Sequence, residues 1–268
     1  MKTDLSDDQV RRYRADGCLV VDDLLEPEEL EHWRRVFDAA VARRDGSRFA
    51  DPSVAEDPDD DPEFYRNVFE QRVNLWQTDH AMRELILGPR LAQMASRLSG
   101  VDGLRVWQDQ ALIKQPFANP TAFHLDVPYW SFSSPDAITI WLALDDATEA
   151  NGCLYFCPGS HLETNDRNVG AGPNVGAIFE VYPQLAGRPT VSGAMRAGSC
   201  SFHNGLTIHG AGANMTNTTR RAMTCAYMPD GATFNGTKNI LTSQQLARLT
   251  VGDVLDDPAQ NPLVYTAT

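Results

Sequence analysis

A chain of 268 residues, 42% of them hydrophobic, can bury a sizeable core within one globular domain. Its net charge of −13 argues against nucleic acid, which needs a basic patch, and against an anionic membrane surface. No stretch approaches the roughly 20 apolar residues of a membrane span, and Met1-Lys2-Thr3-Asp4 leads into no apolar signal core, so a cytoplasmic protein is expected.

Ser6-Asp7-Asp8-Gln9 is a capping-box pattern that opens a short helix with Val10 and Tyr13 on its apolar side and Gly17 as its stop. Cys18 to Val21 reads as a strand. Pro27 then starts an amphipathic helix in which Leu30, Trp33, Val36, Phe37 and Ala40 recur at three- and four-residue spacing, ending near Arg44-Asp45-Gly46. From Asp51 to Glu63 the chain is acidic and proline-containing without apolar period, which predicts a mobile surface loop, and the alternating carboxylates and glycine of a calcium loop are missing. Val73 to Trp76 precedes a helical run from Met82 to Leu98 that stops at Gly100.

The period then becomes that of strands. Leu104–Lys114, Ala137–Leu144, Gly152–Phe156, Ser199–His203, Leu206–His209 and Ala222–Met228 are short apolar or alternating runs separated by Pro, Gly and Asn. Many short strands with turn-rich links indicate a sandwich or barrel, here a mainly β, cupin-like jelly roll (a double-stranded β-helix) with flanking helices. One domain is expected over 1–268: a mostly helical flank over 1–100, the jelly-roll core over 101–230, and an extension over 231–268 that folds back on the barrel surface. Five scattered cysteines, Cys18, Cys153, Cys157, Cys200 and Cys225, lack metal-site spacing and read as reduced core residues.

The chemistry concentrates in Phe123-His124-Leu125-Asp126. In an extended backbone residues two apart share a side, so an imidazole and a carboxylate would meet at one point while Leu125 faces away. With a second imidazole from His209, this is the two-histidine, one-carboxylate face that leaves three positions of an octahedral iron open. A lone His-x-Asp also occurs as a surface pair or a hydrogen-bonded couple, so the later stretch carries the weight: His209-Gly210-Ala211-Gly212, with Arg220 eleven residues after the histidine. His32 and His80 sit in helical segments with polar neighbours, and His161 closes the Pro158-Gly159-Ser160 turn. His203 competes with His209, but an extended chain would hold the two about 20 Å apart, which leaves His203 a supporting or packing role.

These pieces resemble the phytanoyl-CoA dioxygenase family of Fe(II)- and 2-oxoglutarate-dependent oxygenases. The match runs through His124-Leu125-Asp126, Trp141 to Asp146, Asn151-Gly152-Cys153-Leu154, Pro158-Gly159-Ser160-His161, and His209-Gly210-x-Gly212 with Arg220, over the central and C-terminal two-thirds of the chain. The resemblance implies His124, Asp126 and His209 as ligands of Fe(II), Arg220 as the partner of the 2-oxoglutarate carboxylate, and Trp141 beside that cosubstrate. It also places Asn74 and Trp76 at the substrate pocket. A serine common in the family directly after His-Gly is here Ala211. The reaction implied consumes O2 and 2-oxoglutarate, releases succinate and carbon dioxide, and hydroxylates or otherwise oxidises a C–H bond of a small molecule. Relatives that chlorinate carry glycine or alanine in place of Asp126. Phytanoyl-CoA itself is only the family's name, because no basic cluster suits the CoA phosphates; a natural-product intermediate or an amino-acid-like molecule fits as well. Two other classes stay open at this point, a zinc-type metallohydrolase, which would leave Arg220 without a cosubstrate to hold, and a jelly-roll isomerase or binding protein.

Overall fold

The computed structural model describes residues 1–54, 64, 66–169 and 172–267; most of the acidic 51–63 stretch, expected as a loop, lies outside the described residues. Helix α1 (Asp7–Asp16) opens on the expected capping box, with Ser6 and Gln9 each accepting the other's backbone N–H. It is followed by β1 (Cys18–Val21) and by α2 (Pro27–Arg43), which buries Trp33, Val36, Phe37 and Ala40. After β2 (Glu70–Val73) come α3 (Leu75–Thr78), α4 (His80–Ile86) and α5 (Pro89–Ser99). The single helical run expected from Met82 to Leu98 is therefore two helices. Gly88 is extended, with φ −62° and ψ 135°, and Pro89, which has no N–H to donate backwards, starts the second.

The remaining strands are β3 (Gly103–Lys114), β4 (Thr121–His124), β5 (Ile138–Ala143), β6 (Leu154–Phe156), β7 (Val191–Ser192), β8 (Cys200–Asn204), β9 (His209–Ala211), β10 (Arg220–Pro229) and β11 (Leu263–Thr266). Among the described residues they form two antiparallel sheets, one ordered β1-β8-β5-β10-β3-β11 with β2 also on β3, the other β4-β9-β6-β7. This is a jelly roll. The C-terminal segment does more than cover its surface, since β11 pairs with β3 and residues 237–240 line the central cavity.

Strand alternation sorts the large sheet into two faces. Met223, Cys225 and Tyr227 of β10 join Ile140, Leu142 and Phe202 in the core beneath the helices. Full burial of each large apolar side chain there contributes roughly 1.5–3 kcal/mol. Their alternates, Arg220, Thr224 and Ala226, line the cavity towards the smaller sheet, as do Gln108, Gln110 and Leu112 of β3.

Asp109, on the helix side of β3, is fully buried and accepts the backbone N–H groups of Leu75 and Trp76 at 3.1 Å each, so it ties the start of α3 to the sheet. Burial pushes its carboxyl up to about 7, against those two hydrogen bonds and the Arg44 charge, which pull it down. Asp109→Ala leaves two buried N–H groups unpaired, so chemical denaturation is expected to show a loss of about 2–4 kcal/mol. A loss below about 1 kcal/mol would mean that water or a shifted helix supplies the acceptors.

Candidate metal centre and active site

His124 ends β4 and His209 begins β9, and the two are direct cross-strand partners with ring centroids 4.3 Å apart. The pairing depends on Gly210, where an added Cβ would lie 2.8 Å from the Thr121 carbonyl oxygen and force the strands apart. The rings are oriented alike. His124 Nδ1 lies 2.9 Å from the Ala122 carbonyl and His209 Nδ1 3.0 Å from the Thr207 carbonyl; a carbonyl only accepts, so each Nδ1 carries the proton and each Nε2 keeps its lone pair.

Asp126 reaches the same point by a route that strand alternation does not describe. The chain leaves β4 after His124, and Asp126 adopts helical angles, φ −81° and ψ −51°, at the start of the single turn Val127–Tyr129. The N–H groups of Asp126 and Val127 both donate to Gly205 O at 3.0 Å. The intervening Leu125 has no strand partner for its peptide groups. The Asn168 side chain replaces one, its Nδ2 donating to Leu125 O at 2.9 Å and its Oδ1 accepting from Leu125 N at 3.4 Å.

The two carboxylate oxygens of Asp126 have different surroundings. Oδ2 accepts from Thr139 Oγ1 at 3.0 Å and from His203 Nε2 at 3.2 Å. Oδ1 faces His124 Nε2 at 3.6 Å and His209 Nε2 at 3.7 Å, too far for good hydrogen bonds. Two imidazole nitrogens and one carboxylate oxygen thus face one another, a donor set that fits a first-row metal ion. Among the described residues, His124, Asp126 and His209 are the group whose ligand atoms lie within 4.8 Å of one another. Electrostatics agree for Asp126 and His209, whereas at His124 burial, which acts to lower the imidazole, is outweighed by Asp126 and the Ala122 carbonyl, which raise it above its ordinary value in the metal-free site. Burial acts to raise the Asp126 carboxyl, but His209, His124 and His203 together hold it well below the usual carboxylate range, so it is an anion at neutral pH. Burial, with His203 and His124 as neighbours, holds His209 well below the ordinary imidazole value and hence neutral.

His203 is much nearer than an extended chain would allow. Residues 205–208 form a turn, not the strand expected over Leu206–His209, with Thr207 N bonded to Asn204 O, and the His203 and His209 rings lie 4.2 Å apart. His203 nevertheless addresses Oδ2, the oxygen that faces away from the other two imidazoles.

Arg220, the first residue of β10, is buried on the cavity wall with its guanidinium carbon 5.2 Å from the centre of the Trp141 ring. Its Nη2 donates to Gly152 O at 3.1 Å, while Nε and Nη1 have no partner among the described residues. Its cross-strand neighbour is Lys114, fully buried, whose Nζ also lacks a partner and whose ammonium is pushed down to about 7 by burial and by Arg220. Gly152 accommodates both: a Cβ there would sit 2.6 Å from Lys114 Cδ. Two buried, unpaired cations side by side call for an anion. Arg221 takes the opposite face, paired with Asp145 and Asp38.

A cavity of about 530 Å³ joins His124, Asp126, His209 and Arg220, with Lys114 behind its wall. Trp141 and Ala211 line it, but Asn74 and Trp76 do not. Trp76 is buried in the core on the far side of the large sheet, and Asn74 is buried beside it where β2 ends, so neither forms the pocket wall. The sequence reading did not find Thr139 or Asn168, and neither left a signal there.

A jelly roll with two imidazoles and one carboxylate converging beside a buried arginine defines the class of non-haem iron oxygenases. The family model for phytanoyl-CoA dioxygenase matches residues 13–222, and the chain belongs to that family. Among solved structures, it is similar to the non-heme alpha-ketoglutarate-dependent carbocyclase SnoK from nogalamycin biosynthesis, at 28% identity and a TM-score of 0.78, covering 97% of both chains. It is also similar to the epimerase SnoN in complex with Fe3+, alpha-ketoglutarate and nogalamycin RO, at 27% identity and a TM-score of 0.75, covering 96% of this chain and 97% of that one. The ectoine dioxygenase of Bordetella parapertussis is 29% identical over 259 residues, 87% of this chain and 79% of the relative. The protein is a 2-oxoglutarate-dependent dioxygenase that uses Fe(II), 2-oxoglutarate and O2, and the hydrolase and non-oxygenase classes fall away. Among the described residues, no helix is long and apolar enough to cross a membrane.

Proposed function

We propose that the protein oxidises an unactivated C–H bond of a small organic molecule, by hydroxylation in the simplest case, with His124 Nε2, Asp126 Oδ1 and His209 Nε2 holding the iron. The observation that carries this reading is the convergence of His124 Nε2, His209 Nε2 and Asp126 Oδ1 beside the two unpartnered nitrogens of Arg220. When bound, iron and 2-oxoglutarate together activate dioxygen, and the cosubstrate leaves as succinate and carbon dioxide. Arg220 grips the far carboxylate of 2-oxoglutarate through its free nitrogens, with Trp141 fixing the plane of the guanidinium and the Lys114 charge behind it. Thr139 and His203 engage Oδ2 and so leave Oδ1 alone for the metal. Asn168 keeps Leu125, and with it the spacing of His124 and Asp126, in place. The similarity to a carbocyclase and an epimerase means that the same oxidising step serves ring closure or inversion in relatives, and substrate placement in the cavity decides among such outcomes.

Anaerobic addition of Fe(II) and 2-oxoglutarate should give the weak visible charge-transfer band of a chelated 2-oxo acid, and admission of oxygen should yield succinate. Absence of both overturns the reading. Arg220→Lys, which replaces a two-pronged contact by a single ammonium, should weaken 2-oxoglutarate about tenfold or more and leave Fe(II) affinity nearly unchanged. Thr139→Val conserves volume and frees Oδ2, and an Fe(II) titration should show affinity reduced at least about tenfold. Unchanged affinity there would assign the orientation of Asp126 to His203 alone.

A further inference from the structure

Beyond the metal and cosubstrate groups, the cavity wall has a consistent character. Phe49, Phe69, Tyr129 and Trp130 give it flat apolar surface, and the Gln71 and Asn239 amides add neutral polar groups. The charged residues on this part of the wall are Arg48 and Lys238. Among the described residues, Asp126 is the acid on the lining, and its charge is committed to the imidazoles.

That is the reverse of the chain as a whole, in which 36 acidic residues outnumber 23 basic ones. Among the described residues, neither Arg48 nor Lys238 is in an ion pair, and the two share the cavity wall. Arg48 Nε is buried without a hydrogen-bond partner, and its guanidinium carbon lies 4.9 Å from the centre of the Phe49 ring. Both residues are tethered through their main chains. Arg48 O accepts from Val73 N at 2.8 Å at the end of β2, and Lys238 O accepts from Ser131 Oγ at 3.1 Å. The backbone is held by the fold and the charged groups remain available to the cavity.

We infer that the primary substrate is a flat, largely apolar molecule carrying a carboxylate or an equivalent oxyanion, and that Arg48 and Lys238 bind this group while the aromatic wall receives the body. The inference rests on the reading of this cavity as the oxygenase site and adds the chemical class of what fills it. The guanidinium, already stacked on Phe49, presents a planar donor edge to the oxyanion, and the Lys238 ammonium at the cavity mouth attracts the same charge. An uncharged molecule of the same shape leaves the half-buried Arg48 guanidinium, whose Nε has no partner, without an anion, and is therefore discriminated against.

The test uses matched acids and amides: 2-naphthoate against 2-naphthamide, and 4-phenylbenzoate against 4-phenylbenzamide. Each is titrated calorimetrically into the protein held anaerobically with Fe(II) and saturating 2-oxoglutarate. The acid of a pair should bind at least about tenfold more tightly than its amide, and the Arg48→Gln/Lys238→Gln double variant should lose that preference. No preference for the acid in either pair overturns the inference. So does a preference that survives in the double variant, because the acid is then binding at Arg220 or elsewhere. The visible band of the iron–cosubstrate complex is recorded on the same samples. If the band is missing in the wild type, the oxygenase-site reading fails; if the band is present and the acids show no advantage, only the substrate class fails.

Discussion

His209→Ala is expected to abolish the visible band of the Fe(II)–2-oxoglutarate complex and to reduce succinate formation by orders of magnitude, whereas His203→Ala should retain the band. His209 Nε2 and His203 Nε2 both lie near Asp126, but they face different oxygens, at 3.7 Å from Oδ1 and 3.2 Å from Oδ2. The first separation leaves room for an ion between two lone-pair donors, and the second is a hydrogen bond from an imidazole to a carboxylate. Loss of His209 removes a ligand. Loss of His203 frees Oδ2 from one of its two donors, which weakens Fe(II) by a factor of about 10–100, as expected of a residue that orients a ligand. Asp126→Ala should behave like His209→Ala in the band and in turnover. It also leaves Thr139 and His203 without their acceptor, so the metal-free protein should lose about 1–3 kcal/mol. If His203→Ala abolishes the band and His209→Ala keeps it, the two histidines exchange roles and Oδ2 is the metal-binding oxygen.

The residues proposed to hold the metal were legible because their chemistry is carried by short spacings: His124 with Asp126, and His209 with Gly210 and Arg220. How they converge was less so. Strand alternation brought His124 and Asp126 together for an incomplete reason, since Asp126 lies in a turn held by Gly205 and, through Leu125, by Asn168, contacts made across 79 and 43 residues of chain that no local pattern encodes. The 20 Å separation of His203 from His209 assumed a strand through Leu206; the chain instead doubles back at residues 205–208, where Asn204 and Gly205 were the available turn signals. Trp76 followed a resemblance in position, but the face of the sheet on which a residue falls is decided by how β2 turns into α3, and that places Trp76 under the helices.

Lys114→Met should make the metal-free protein more stable and its cosubstrate binding weaker. The lysine is fully buried, its Nζ has no hydrogen-bond partner among the described residues, and it stands directly across β3 and β10 from Arg220. The ammonium is pushed down to about 7, against about 10.4 in an unfolded chain. Between those values the unfolded chain holds more protons, so this group makes stability rise with pH from about 7 towards 10, and below 7 its unfavourable contribution is present in full. Methionine fills a similar volume along Gly152 without the charge. At pH 7 the variant should therefore gain on the order of 2–4 kcal/mol, and the rise in stability between pH 7 and 10 should flatten. The charge has a use in the loaded enzyme, because a carboxylate gripped by Arg220 lies within the field of both cations. Calorimetric titration should accordingly show 2-oxoglutarate bound at least about tenfold more weakly by the variant, with the difference shrinking as the wild-type lysine loses its proton above neutral pH. Melting curves of the metal-free protein at pH 6, 7.5 and 9, paired with the titrations, decide the matter. A variant that is less stable at every pH has lost a favourable contact of Lys114, and the unpaired-cation account of this wall would then be wrong.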